Sequence, residues 1–268
     1  MASLPASSSF ASPNSALSAP SADERLRFVE FLIHSAQQLE VAPIVKYSAL
    51  SLLVDRFFLS LPSFMEAGSS RSWLLHPVTE SNLQLFGLIS LWISSKIHDS
   101  YPLSVRCLKC LANNIIKDQH FATRDFLEAE VLFMQVLNFE IGTTNIAFLF
   151  LEELWMQIQR VAKVGDLINF EACIEIMDLL YEKEETSFLY KSPCSLAASI
   201  LVASYLITVP KQKSEFPLLP WGKKVKFVTS CREEEIIKIV RDILKHVLHP
   251  SSDLQGDGSQ LTVVRPTY

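Results

Sequence analysis

A chain of 268 residues with 49% apolar side chains can bury one large core or two smaller ones, and a usual domain size of about 100–150 residues favours two. Its 7 Gly form no Gly-rich phosphate loop, which weakens a nucleotide-binding reading, and Gly-poor, Leu-rich sequence punctuated by Pro suits an all-helical fold. A formal net charge of −5 speaks against a nucleic-acid-binding module, which needs a basic face to displace counterions from phosphate, so protein partners are expected instead. The 5 Cys are odd in number and scattered through apolar stretches, which points to a reducing compartment rather than a disulfide framework.

Residues 1–22 are mostly Ser, Ala and Pro, a composition whose burial cannot offset its ordering entropy, so a disordered tail is expected. A Ser-rich plastid transit peptide is the second reading, although no Arg precedes Arg25. From Asp23 a helical period begins, with Leu26, Val29, Leu32, Ile33 and Ala36 on one face. Pro43 opens a second helix that should end near Leu61, where a turn-rich run follows. In the third, Thr79 is placed to cap the N-terminus, and Leu85, Leu88, Ile89, Trp92 and Ile93 line the buried face. Lys96 ends that apolar run, and Tyr101-Pro102 turns the chain in a new direction. A fourth helix is expected from Pro102 to about Asn114. It carries Cys107 and Cys110 as a C-x-x-C without a second ligand pair at zinc spacing, read here as two buried or half-buried thiols. The fifth should start near Thr123 as cap, with Asp125 in its first turn, and run through Phe126, Leu127, Val131, Met134 and Leu137.

Leu83, Gln84, Leu85, Gly87, Ser95, Lys96, Tyr101 and Pro102 together resemble the central helix of the cyclin box and its exit. Val54-Asp55-Arg56-Phe57 resembles the end of that family's second helix, and Glu130 to Ile141 resembles its fifth. The short chain, the Ser-rich start and the divergent first helix are most similar to the plant J-type cyclins. The resemblance implies an all-α protein of two consecutive five-helix cyclin-like folds: an N-terminal cyclin box over 23–141 and a C-terminal cyclin fold over 142–249, with 250–268 a disordered tail. For the second fold, amphipathic helices are expected over Thr144 to Val161 and Phe170 to Tyr181. A Pro-started central helix at Ser192-Pro193 should follow, then a short helix opening at Trp221, and an amphipathic run after Arg232 capped by Thr229 or Ser230. The longest apolar run, Leu196 to Val209, is too short for a bilayer, so no membrane association is expected.

The six His show no metalloprotease-type spacing, and the Glu pairs read as solvated helix faces, so neither catalytic residues nor metal nor cofactor is expected. Lys96 and Glu130 are the exceptions. Alone they would be a snorkelling Lys and a solvated Glu. The resemblance instead implies that they project side by side and hydrogen-bond backbone groups of a cyclin-dependent protein kinase, with Ile93, Ile97, Val131, Met134 and Phe139 as the apolar contact. Ile97 stands where the family has an aromatic, and His98-Asp99 where it has an acidic pair; either could alter kinase preference. The resemblance also implies a structural ion pair between Asp55 and an arginine of the first helix; because Leu26 holds the ungapped register, Arg25 or Arg27 must take the role or the pair is absent, and Arg27 is the candidate adopted. The first helix reads Arg25-Leu26-Arg27-Phe28-Val29-Glu30-Phe31-Leu32 and lacks the family's arginine-x-leucine docking elements. A kinase-activating cyclin acting in cell division, in nucleus and cytoplasm, is therefore expected. The alternative is a transcription-type cyclin or a DNA-binding double cyclin fold, for which Lys223, Lys224 and Lys226 are the sole basic cluster.

Overall fold

The computed structural model describes residues 21–68, 72–142, 146–161, 167–182, 192–209 and 232–248. All regular structure among them is helical. Helix α1 spans Ala22–Gln38. It opens earlier than the composition of the tail suggests, because Ser21 and Glu24 form a reciprocal cap: the Ser21 hydroxyl accepts from the Glu24 N–H at 3.4 Å and the Glu24 carboxylate accepts from the Ser21 N–H at 2.8 Å. Phe28, Val29, Leu32, Ile33 and Ala36 are its buried face.

Helix α2 (Pro43–Leu50) starts on a proline whose fixed φ suits a first helical turn, passes into a π-helical stretch (Ser51–Phe57) and continues as α3 (Phe58–Glu66). The chain stays helical beyond the expected end at Leu61, through Pro62. Leu61 is buried and Phe64 and Met65 pack on the core, and that burial outweighs the one hydrogen bond proline cannot donate.

Helix α4 (Glu80–His98) is the axis of this half. The Thr79 hydroxyl caps it as expected, accepting from the Asn82 N–H at 3.2 Å. From Leu85 to Ser95 every residue is buried, because α1, α2, and two later helices pack around it: α5 (Val105–Ile115) and α6 (Thr123–Val136). Ser90 and Ser95 tolerate this by donating to the carbonyls of Gly87 and Trp92. Gly87 marks a close approach: a Cβ there would lie 3.4 Å from the Phe31 ring of α1. Helix α5 begins at Val105 rather than Pro102, since Ser104 supplies the cap, accepting from the Cys107 N–H at 3.2 Å. Thr123 is likewise the first helical residue of α6 and not its cap. The Asp125 carboxylate instead reaches back to accept the Ala122 N–H at 2.7 Å. Phe57 stacks on Phe133 with ring centroids 4.5 Å apart and meets Phe86 at 4.9 Å, joining the π-helical stretch to α6 and α4.

Among the described residues, four further helices follow: α7 (Ala147–Val161), α8 (Phe170–Glu182), α9 (Pro193–Thr208) and α10 (Glu233–Leu248). Helix α9 starts at the expected Pro193 and is packed by the other three; its buried small residues, from Ser195 through Ser199, let them come close. The expectations at Trp221, Thr229, Ser230 and the Lys223, Lys224, Lys226 cluster lie outside the described residues, as do residues 1–20 and 249–268.

The two groups of helices meet where α1 touches α8 and α2 touches α7. Lys46 of α2 pairs with Asp178 of α8 at 2.7 Å, with Lys46 only 9% and Asp178 18% exposed in their side chains. The Tyr47 hydroxyl donates to the other Asp178 oxygen at 2.7 Å, and its ring stacks between Phe148 and Tyr181. A cation inside the run Pro43 to Leu50 was the available sequence signal for this network, but nothing in the sequence pointed to a partner 132 residues away.

Candidate functional site

The last turn of α4 carries Lys96 out of the core, and the middle of α6 carries Glu130 to meet it. The Lys96 ammonium donates to Glu130 Oε1 at 2.5 Å and sits 3.5 Å from the centroid of the Trp92 ring. Two restraints therefore fix its direction: a charge-assisted hydrogen bond and a cation–π contact. The Lys96 side chain is 39% exposed and that of Glu130 16%. The other Glu130 oxygen meets no hydrogen-bond donor among the described residues, which leaves an acceptor at the surface. Burial pushes the pKa of neighbouring His98 down, against the opposing pull of Asp99, so the imidazole adds no charge to this edge near neutral pH.

Of the apolar side chains expected around the pair, Ile97, Val131 and Phe139 are solvent-exposed, and Met134 is half-buried on the core. Leu127, one turn before Val131 on α6, is exposed as well, and Tyr101 projects almost entirely into water. Ile93 does not belong with them. At 2% exposed it is part of the core, because it lies a full turn back from the rim on a helix packed on all sides.

Phe139 is held out by its backbone. Asn138 and Phe139 both have positive φ, 51° and 61°, a conformation that is costly for a bulky aromatic. The Phe139 N–H is tied to the Met134 carbonyl at 2.7 Å, ending α6. Arg56 braces the same corner, donating to the Gly142 carbonyl at 3.1 Å and to the Glu140 carbonyl. In the sequence Arg56 is legible only as part of a motif; its role rests on contacts 84 and 86 residues away.

The ion pair assigned to Asp55 and Arg27 is not formed. Arg27 faces Glu80 at 3.6 Å, because its position on α1 points it toward the start of α4. The cation acting on Asp55 is Arg25, which also donates to the Tyr181 carbonyl at 3.4 Å. Crowding of the Asp55 carboxyl pushes its pKa up to about 6, against Arg25 and a hydrogen bond with Ser51. The residue as a whole is nevertheless exposed, so water screens this penalty and the stability at stake is small. A raised carboxyl pKa means the folded state holds the proton more tightly than the unfolded chain, whose value is about 3.9. The contribution is complete at low pH and is lost as pH rises through about 6. The melting temperature of the native chain should therefore fall, relative to that of Asp55→Asn, between about pH 4 and pH 6 in parallel thermal unfolding scans and level off above; the opposite slope would make attraction to Arg25 the dominant effect.

Cys107 and Cys110, expected to be buried or half-buried, are both exposed. The amphipathic period of α5 buries Leu108, Leu111 and Ala112 and turns the thiols to the other face. Among the described residues no three His, Cys, Asp or Glu side chains converge as a metal site, and no helix is long and apolar enough to cross a membrane.

Five helical units wrapped around α4, with a lysine–glutamate pair at its exposed end, define an all-helical docking scaffold of the cyclin-box kind. Residues 6–142 match the cyclin N-terminal domain. The chain is 58% identical over 228 residues to Cyclin-J18 of Arabidopsis thaliana, covering 85% of this chain and 96% of that one. It is 50% identical over 247 residues to Cyclin-J18-like of Oryza sativa subsp. japonica, covering 90% and 93%. A viral cyclin from herpesvirus saimiri superposes with a TM-score of 0.62 over 87% of both chains at 17% identity, a likeness of fold. The chain belongs to the cyclin family, and within it to the plant J-type cyclins. The family is regulatory and kinase-binding rather than catalytic.

Proposed function

We propose that this cyclin binds and activates a cyclin-dependent protein kinase through the edge built on Lys96 and Glu130, acting in cell division in nucleus and cytoplasm. The observation that carries the reading is the Lys96–Glu130 pair itself, pinned on Trp92 and bordered by exposed Ile97, Val131 and Phe139. A polar pair ringed by exposed apolar side chains suits a partner that brings backbone hydrogen-bonding groups to the pair and apolar surface to its border. Activation follows if the docked surface fits the active kinase better than the inactive one. The kinase regulatory helix then swings inward so that its Glu pairs with the strand Lys required for phosphoryl transfer. We also read the chain as two consecutive five-helix cyclin folds, 23–141 and 142–249; the packing of α7, α8 and α10 around a Pro-started α9 supports this.

Purified chain mixed with individual plant cyclin-dependent kinases should raise phosphorylation of a histone-type substrate by at least one of them. Binding without stimulation would restrict the role to docking, and neither binding nor stimulation across the kinases would overturn the reading. Substrate capture through an arginine-x-leucine motif should be poor. Phe28, Val29 and Leu32 of α1 are used up in the core, and Arg27 is engaged with Glu80. Fluorescence anisotropy with such a peptide should show no binding at micromolar concentration; micromolar affinity would mean that another surface has taken over the role.

A further inference from the structure

We propose that Cys107 and Cys110 on the exposed face of α5 form a reversible internal disulfide by exchange with a small-molecule disulfide such as oxidised glutathione. The two thiols lie three residues apart on one helix and both face solvent, while Leu108, between them, is fully buried and anchors the opposite face. On a helix, residues at this spacing are neighbours whose Cβ atoms stand about 5–6 Å apart. A disulfide needs its Cβ atoms at about 3.5–4.5 Å, so closure requires only a local tightening of the solvent-side turn, and the bond made is a strained, readily reduced one. Arg106 and Lys109 alternate with the two cysteines and give the patch the positive charge that draws an anionic disulfide.

The exchange balances in two steps. One cysteine thiolate attacks a glutathione disulfide sulfur and releases one glutathione thiolate, leaving a mixed disulfide on the protein. The second cysteine thiolate then attacks the protein sulfur of that mixed disulfide and expels the second glutathione. Two protein thiols have been oxidised and one glutathione disulfide reduced to two thiols, with two protons passing to the leaving thiolates. The buried thiol of Cys173 does not compete, its pKa pushed up to about 11 by burial.

The test uses the full chain, oxidised with glutathione disulfide, alkylated, and digested with trypsin without reduction. Cleavage after Arg106 and Lys109 separates the two cysteines, so the peptide Cys107 to Lys109 remains joined to the peptide Cys110 to Lys117 only through a disulfide. The joined species should appear on oxidation, vanish with a dithiol reductant, and be absent from Cys107→Ser and Cys110→Ser. Each single variant should instead keep a glutathione adduct on its remaining cysteine, with circular dichroism confirming the native helix content. Stable glutathione adducts on both cysteines of the native chain without the joined species would overturn the proposal. So would linkage of either one to Cys173, Cys194 or Cys231.

Discussion

Lys96→Ala and Glu130→Ala should each weaken kinase binding by tens to thousands of times while the melting temperature scarcely moves. In the free protein the Lys96 side chain is 39% exposed and keeps its contact with water, although that of Glu130 is only 16% exposed, so loss of the pair costs about 1 kcal/mol, the upper end of the range for a surface ion pair. Against kinase backbone groups the same charges would be desolvated, and truncating a hydrogen-bonded charge there costs roughly 2–5 kcal/mol. Each 1.4 kcal/mol is about a factor of ten in affinity. Glu130→Ala should do somewhat more harm to the free protein than Lys96→Ala. It leaves the ammonium only its cation–π contact with Trp92, which the lysine stem must still cover. Calorimetric titration of the kinase alongside thermal unfolding separates the outcomes. Near-native affinity removes a residue from the interface, and parallel loss of affinity and stability makes it structural.

Asp178→Ala should show the reverse signature, a large loss of stability from a site remote from Lys96. It strands the Lys46 ammonium in a place where the side chain is only 9% exposed, and it takes away the acceptor of the Tyr47 hydroxyl. Breaking one side of a buried ion pair costs about 3–5 kcal/mol, which for a chain of this size lowers the melting temperature by on the order of 10 °C. The double variant Lys46→Met, Asp178→Leu should recover much of that loss, because it removes the stranded charge together with its desolvation cost. Tyr47→Phe should sit between, losing the one hydroxyl proton donated to Asp178 at 2.7 Å, with the Ile174 carbonyl at 3.1 Å its alternative acceptor. Differential scanning calorimetry of the four proteins tests the order. Equal stability of Asp178→Ala and the native chain would mean that water reaches Lys46 and solvates it in the variant.

The helices themselves were written locally. Pro43 and Pro193 set helix starts, Thr79 capped the third predicted helix, and the recurrence of Leu85, Leu88, Ile89 and Trp92 marked the segment around which the first half is built. Each of these signals acts within one or two turns, so a single stretch of sequence contains it whole. The motif that placed Lys96 and Glu130 was legible for the same reason, as two short runs each recognisable alone. Side-chain destination was not local. Ile93 and Ile97 are both isoleucines on one helix a turn apart, yet one is core and the other surface, because only the packing of α5 and α6 decides where the rim of α4 begins. Arg27 and Arg25 are equally basic, but the rotation of α1 against α4 and α8 sends the first to Glu80 and the second to the Tyr181 carbonyl. Cys107 and Cys110 looked like small core residues until Leu108 and Leu111 took the buried side of α5. The Lys46–Asp178 pair needed two helices from different halves of the chain to be brought into contact, and no periodicity within either helix encodes the identity of its partner. Periodicity and capping residues determined the helices, and the resemblance of short motifs pointed to the family; the tertiary packing alone decided which charges were paired and which thiols reached water, since burial and pairing depend on neighbours that are distant in sequence.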